Sequence, residues 1–132
     1  MIKADKNTIA QVIRDNHMIP TGYEGWYINK DCLALHVFKT GYRLYDYTDD
    51  KYTKDQNGKG YQNVHMNGKT IRLNTLMSML FVHRPNGWDA RTWDSHHKDG
   101  NRLNNKADNL MWMTRSEHMR LHHLGKKYKK HQ

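Results

Sequence analysis

The stretch Thr92–Gly125, TWDSHHKDGNRLNNKADNLMWMTRSEHMRLHHLG, constrains the fold more than any other part of the chain. TWDSHH has the composition of a short strand, and Asp99-Gly100 turns the chain behind it. NRLNNKADN is a polar loop, and LMWMT is a second apolar strand. Thr114-Arg115-Ser116-Glu117 then matches a capping box, with Thr114 as N-cap and Glu117 three residues on. The helix it opens is predicted to run to Leu124 and to stop at Gly125, a residue suited to a C-cap. Five of the ten histidines fall between Trp93 and His123. On a helix, residues four apart share one face, so His118 and His122 present two imidazoles to one place. On a strand, neighbours point to opposite sides, so one of His96 and His97 can join that pair while the other stays outside it. Three imidazoles with water in the remaining position make an open metal site of the catalytic kind. His123 points elsewhere on the helix.

The rest of the chain is compatible with a small α+β protein. At 132 residues, 36% hydrophobic and 27% charged, it can bury only a thin core. KADKNTIAQVIRDNH sets Ile9, Val12 and Ile13 at helical spacing behind Asp5 or Asn7 as cap, and Pro20 and Gly22 close that helix. GWYIN, LALHVF and YRLYDY alternate as half-buried strands do. TDDKYTKDQNGKG reads as a flexible loop or hairpin tip. In GYQNVHMNGKTIRL, Asn67-Gly68 suits a type I′ turn between two strands. Asn74 is expected to cap the next helix, whose stripe Leu76, Met77, Leu80 and Phe81 is read as core. Arg84-Pro85 ends it. Trp112 is read as core beneath the histidines, and Trp26, Trp88 and Trp93 as packing residues rather than base-stacking ones. His17, His36, His65 and His83 receive no catalytic role.

Charge indicates the class of partner. The formal net charge is +9. From Arg115 to Gln132 there are six Lys and Arg against one Glu, so more than half of that excess sits at one end. Such a segment attracts polyanions, and nucleic acid is the usual one. Cys32 is the only cysteine, which excludes an intramolecular disulfide and any cysteine-based zinc knuckle. No stretch resembles a signal peptide or a membrane span, so the chain reads as cytosolic, with no membrane partner and no small-molecule substrate.

HHKDGNRLNNKADNLMWMTRSEH resembles the HNH nuclease motif, especially the form in phage and intron-encoded homing endonucleases. There a histidine precedes DGN, NN follows, and NL-x-W leads into a helix. GYQNVHMNGKTIRLNTLMSMLFVHRP is similar, more loosely, to the segment that often precedes the motif. Carried over, the motif's first histidine falls on His97, its central asparagine on Asn109 and its last position on His118. The resemblance implies a ββα-metal unit, two strands and a helix around one divalent ion, and cleavage of DNA phosphodiester bonds to a 3′ hydroxyl and a 5′ phosphate.

In that reading His97 is the general base and His96 and His118 are metal ligands, joined by His122. Asn109 ties the loop together and helps to orient His97. Arg115, Arg120, Lys126, Lys127, Lys129 and Lys130 contact phosphates of double-stranded DNA. The phage group commonly carries Asp or Asn at the position of His96 and Asn at that of His118. The all-histidine set is closer to the bacterial colicin DNases, and family sites work without a counterpart of His122. Imidazole ligands favour Zn2+ or Ni2+, with Mn2+ also open, over Mg2+, which prefers oxygen. Residues 1–85 are expected to form a β-rich DNA-gripping region with short helices, 86–125 the nuclease unit and 126–132 a basic tail. Monomer and homodimer both remain open. The rival readings are a nucleic-acid-binding module with a structural metal and a colicin-like DNase without sequence preference. A phage origin, and hence a bacterial host cytoplasm, follows by resemblance.

Overall fold

A computed structural model describes residues 2–3, 5–53 and 60–129, with side chains for 5–53 and 60–123. Helix α1 (Lys6–Asp15) follows the strand β1 (Ile2–Lys3), and the Asp5 carboxylate caps it by accepting from the Asn7 N–H at 2.9 Å. Its end is a Schellman turn. Met18 N–H donates to Ile13 O and His17 N–H to Arg14 O, while His17 takes the left-handed conformation at φ 53°. That turn buries Met18 against Ile9, Val12 and Ile13 of α1.

Strands β2 (Ile19–Pro20), β3 (Trp26–Ile28), β4 (Leu33–Phe38) and β5 (Gly41–Asp46) form with β1 an antiparallel sheet of order β1-β5-β4-β3-β2. Strand alternation divides its residues between two apolar clusters. Leu35 and Tyr42 pack on α1. Trp26, Ile28 and Ala34 join the larger core, which continues through Val64, Met66, Leu73 and Met77 to Ala107 and Leu110. Segments 1–85 and 86–125 are therefore packed on each other through a shared core. The polar stretch after β5 is not all loop, because Asp50–Thr53 forms one helical turn, α2. Asn57-Gly58 lies outside the described residues.

Strands β6 (Asn63–Met66) and β7 (Lys69–Arg72) form the hairpin anticipated from Asn67-Gly68. Both turn residues have positive φ, 53° and 77°, as a type I′ turn requires. Helix α3 (Leu73–Phe81) follows without a break, which corrects one expectation. Arg72 occupies the N-cap without a side-chain bond, and Asn74 lies buried inside the helix. Asn74 is spent on a tertiary contact instead: its Nδ2 donates to Ser95 O at 3.1 Å, and Ser95 Oγ donates to Asn74 O at 3.1 Å.

Strands β8 (Trp93–His97) and β9 (Leu110–Thr114) pair antiparallel, with a 3-10 turn at Ala107–Asn109 between them. Helix α4 (Arg115–Lys129) is capped as anticipated, Glu117 N–H donating to Thr114 Oγ1 at 3.1 Å. Its end corrects a second expectation. The helix passes through Gly125 to Lys129, so the basic segment continues the helix rather than leaving it at a C-cap. The flanking leucine and lysines are strong helix formers and outweigh the roughly 1 kcal/mol that a helical glycine costs. No helix among the described residues is long and apolar enough to cross a membrane. The mixed helices and antiparallel sheets make the fold α+β.

Candidate active site

The alternation of β8 sorts its polar side chains. Ser95 and His97 are buried, whereas Asp94 and His96 lie half-buried and contact α4. The His96 and His118 ring centres are 5.1 Å apart, those of His118 and His122 4.6 Å. His122 Nε2 lies 3.0 Å from His118 Nε2. Asp94 Oδ2 is 3.3 Å from His118 Nδ1, and Asp94 Oδ1 also meets the Arg115 guanidinium at 3.4 Å. A carboxylate only accepts, so His118 Nδ1 carries the proton and donates to Asp94. In the neutral ring the His118 Nε2 lone pair then faces His122.

These residues fit a divalent transition ion in two respects. Two tetrahedral nitrogen ligands at about 2.0–2.1 Å from zinc lie about 3.3 Å apart, close to the His118–His122 separation. A ligating imidazole usually donates its second N–H to a carboxylate, as His118 does to Asp94. His96 flanks the pair as a third ring. Among the described residues, no group of three or more His, Cys, Asp or Glu stands in a complete metal-holding arrangement. Two nitrogens converge, and the third ring stands beside them. Burial lowers the His96 pKa, with His118, His122 and His97 adding to the effect, so this ring is neutral and able to ligate near pH 7.

His97 lies elsewhere. The residue is 5% exposed, and its Nε2 is 2.7 Å from Asn105 Oδ1. Burial lowers its pKa, with Arg102 and His118 acting the same way, against a rise from the Asn105 hydrogen bond and from Asp99. The Tyr61 ring centre lies 6.1 Å from that of His97, and the Arg72 and Arg102 guanidiniums sit 4.1 and 4.8 Å from the Tyr61 ring centre. Tyr61, Arg72, Asp94, Arg115 and His118 also share a cavity of about 310 Å³ with Trp88.

Asn109 ties the loop together. Its Nδ2 donates to Asp99 Oδ1 and to Asn104 O, both at 2.9 Å, and its Oδ1 accepts from the Asp99 N–H at 3.2 Å. The Asn104 amide donates to Asp99 Oδ2, and these hydrogen bonds hold the Asp99 carboxyl below its ordinary pKa, that from Asn104 most. The side chain bonded to the His97 ring is that of Asn105, not Asn109. Sequence reasoning gave Asn105 no specific partner, although its place in the NN pair was a signal. It also passed over Asp94, Arg72 and Arg102. Arg115 stands beside the imidazole cluster and Arg120 is exposed on α4. Lys130 lies outside the described residues, and so do the side chains of Lys126, Lys127 and Lys129. Trp112 is buried and donates to Val82 O at 3.3 Å, as its core assignment required.

Residues 85–120 match the family model described as HNH endonuclease. This segment is similar to HNH endonucleases. The intron-associated endonuclease 3 of Enterobacteria phage RB3 is 50% identical to the chain over 44 residues. That stretch is 33% of this chain and 16% of the phage protein, so the chain spans a small part of that relative. No solved structure gives a significant match. The matched segment includes the β8–β9 hairpin and the first turns of α4, the elements that carry His96, His97, Asn109 and His118.

Proposed function

We propose that the chain is a metal-dependent endonuclease that hydrolyses phosphodiester bonds of double-stranded DNA. The observation that carries this reading is the division of two adjacent histidines between two environments. His96 joins the His118–His122 pair, while His97 is held by an asparagine on the other face of the strand. A purely structural ion has no use for a second imidazole kept beside it and outside its ligand set.

In this reading His96, His118 and His122 hold one divalent ion, and Asp94 orients His118. Bound there, the ion would neutralise the scissile phosphate and stabilise the charge that develops on the departing oxygen. His97 takes a proton from the attacking water at Nδ1, the nitrogen that Asn105 does not engage. The water oxygen bonds to phosphorus and the bond from phosphorus to the 3′ oxygen breaks, leaving a 5′ phosphate. The 3′ oxygen is protonated from solvent. Arg72 and Arg102, stacked on Tyr61 near His97, draw the backbone toward a ring that exposes little of its own surface. Arg115, Arg120 and Lys126, Lys127, Lys129 and Lys130 add sequence-independent affinity that falls as salt rises.

A second reading is a nucleic-acid-binding module with a structural ion, and one observation favours it: the 5% exposure of His97. Supercoiled plasmid incubated with the protein and Zn2+, Ni2+, Mn2+ or Mg2+ in turn separates the two. Nicking with at least one ion supports the nuclease. Tight DNA binding without nicking under any of the four supports the module. Mapping the cuts on a long phage genome then distinguishes a homing-like enzyme, which leaves few discrete sites, from a DNase without sequence preference.

A further inference from the structure

We propose that Gln62, a residue outside the HNH match, is a positioning residue that sets the tautomer of His97 through Asn105. Hydrogen-bond polarity fixes each amide in turn, beginning at a group that cannot turn round. The carbonyl of Tyr47 only accepts, and Gln62 Nε2 lies 2.8 Å from it, so the amide end of Gln62 faces Tyr47. Gln62 Oε1 therefore faces the other way, 2.9 Å from Asn105 Nδ2. Asn105 Nδ2 also approaches a second carbonyl, that of Arg102, at 3.4 Å. With its amide committed to two acceptors, Asn105 presents Oδ1 to His97 Nε2 at 2.7 Å. An oxygen at that distance requires Nε2 to carry the proton. The neutral ring then has its lone pair on Nδ1.

No link of this chain can be reversed alone. A proton on Nδ1 instead would set the Nε2 lone pair against Asn105 Oδ1. Flipping Asn105 would set oxygen against Gln62 Oε1, and flipping Gln62 would set oxygen against the Tyr47 carbonyl. Gln62, Asn105 and His97 are 1%, 3% and 5% exposed, so bulk water does not relieve a mismatch. The polarity of a backbone carbonyl just after β5 is thus transmitted to a ring on β8. The consequence for cleavage rests on the nuclease reading above, in which Nδ1 is the base.

The experiment uses metal-free, full-length protein labelled with 15N, at a pH where the His97 ring is neutral. Long-range 1H–15N spectra separate a protonated from an unprotonated ring nitrogen. We expect His97 to be a single tautomer with the proton on Nε2. In Gln62→Met, which keeps the bulk and removes both hydrogen bonds, we expect His97 nitrogen shifts averaged between tautomers while backbone spectra keep their dispersion. With nicking ions we expect Gln62→Met to lower kcat on plasmid by about tenfold at unchanged KM. A wild-type ring protonated on Nδ1 overturns the proposal, as does a folded Gln62→Met with an unchanged tautomer. Should Gln62→Met not fold, exchange in the wild type decides. Protected amide protons on both Gln62 and Asn105 support the relay, and freely exchanging ones overturn it. The tautomer is read without any cleavage, so an absence of nicking would sink the nuclease reading alone.

Discussion

Asp94 on β8 holds His118 on α4, Oδ2 to Nδ1 at 3.3 Å, and so ties the strand that carries two of the histidines to the helix that carries three more. The contact sets which nitrogen of His118 is free for a ligand. Replacing Asp94 by alanine is predicted to lower affinity for Zn2+ or Ni2+ by about 10- to 100-fold, the usual effect of losing a carboxylate behind a ligating imidazole. Calorimetric titration of the metal measures it, and an affinity within twofold of wild type would argue against His118 as a ligand.

His97→Ala is predicted to reduce plasmid nicking by about 10²- to 10⁴-fold, the range a general base contributes. Metal affinity should stay within about twofold of wild type, since Asn105 rather than the imidazole cluster holds this ring. DNA retention in a gel-shift assay should also be nearly unchanged, because the base acts mainly in the transition state. A variant that cuts at the wild-type rate would return the base to another residue.

Acid should weaken the metal-free fold in a defined window. Burial lowers the pKa of His36, His96 and His97 below the ordinary histidine value. Above about pH 6.5 these rings are neutral in both folded and unfolded chains and their contribution is intact. As pH falls from there toward the folded values, the unfolded chain takes up protons that the fold resists, and stability is lost. Asp46 and Asp99, held low by hydrogen bonds to Thr48 and to the loop asparagines, act in the same direction only below about pH 4. A thermal midpoint that rises between pH 7 and 5 would contradict the assignment.

Asn74→Ala is predicted to destabilise the protein by about 1–3 kcal/mol, because it leaves the buried Ser95 carbonyl without the donor it has now. Urea unfolding measures the change. The same substitution at an exposed helix N-cap would instead cost about 1 kcal/mol.

These contrasts show what the sequence carried. The Asn67-Gly68 turn, the Thr114 cap and the alternation of β8 are local: each depends on neighbours within a few residues, and each formed as expected. Asn74 failed as a cap because its partner, Ser95, is 21 residues away. Gly125 failed as a stop because glycine permits a left-handed turn without compelling one. The imidazole cluster was legible from the four-residue spacing of His118 and His122 on one helix. Asp94 and Asn105 stood in the same motif but carried no mark of what they touch. Gln62 could not have been found at all, since its contact with Asn105 spans 43 residues and nothing in GYQNV distinguishes it from a surface glutamine.

The apolar layer that runs from Trp26 through Met77 to Leu110 has a practical corollary for engineering. Residues 85–120 transplanted into a foreign scaffold would take His96, His97 and His118 along but leave behind His122 and the floor beneath Ala107 and Leu110. A cassette carrying the imidazole cluster should be cut to include the β6–β7 hairpin and the sheet that shares its core. The boundary of the motif is narrower than the boundary of the working part.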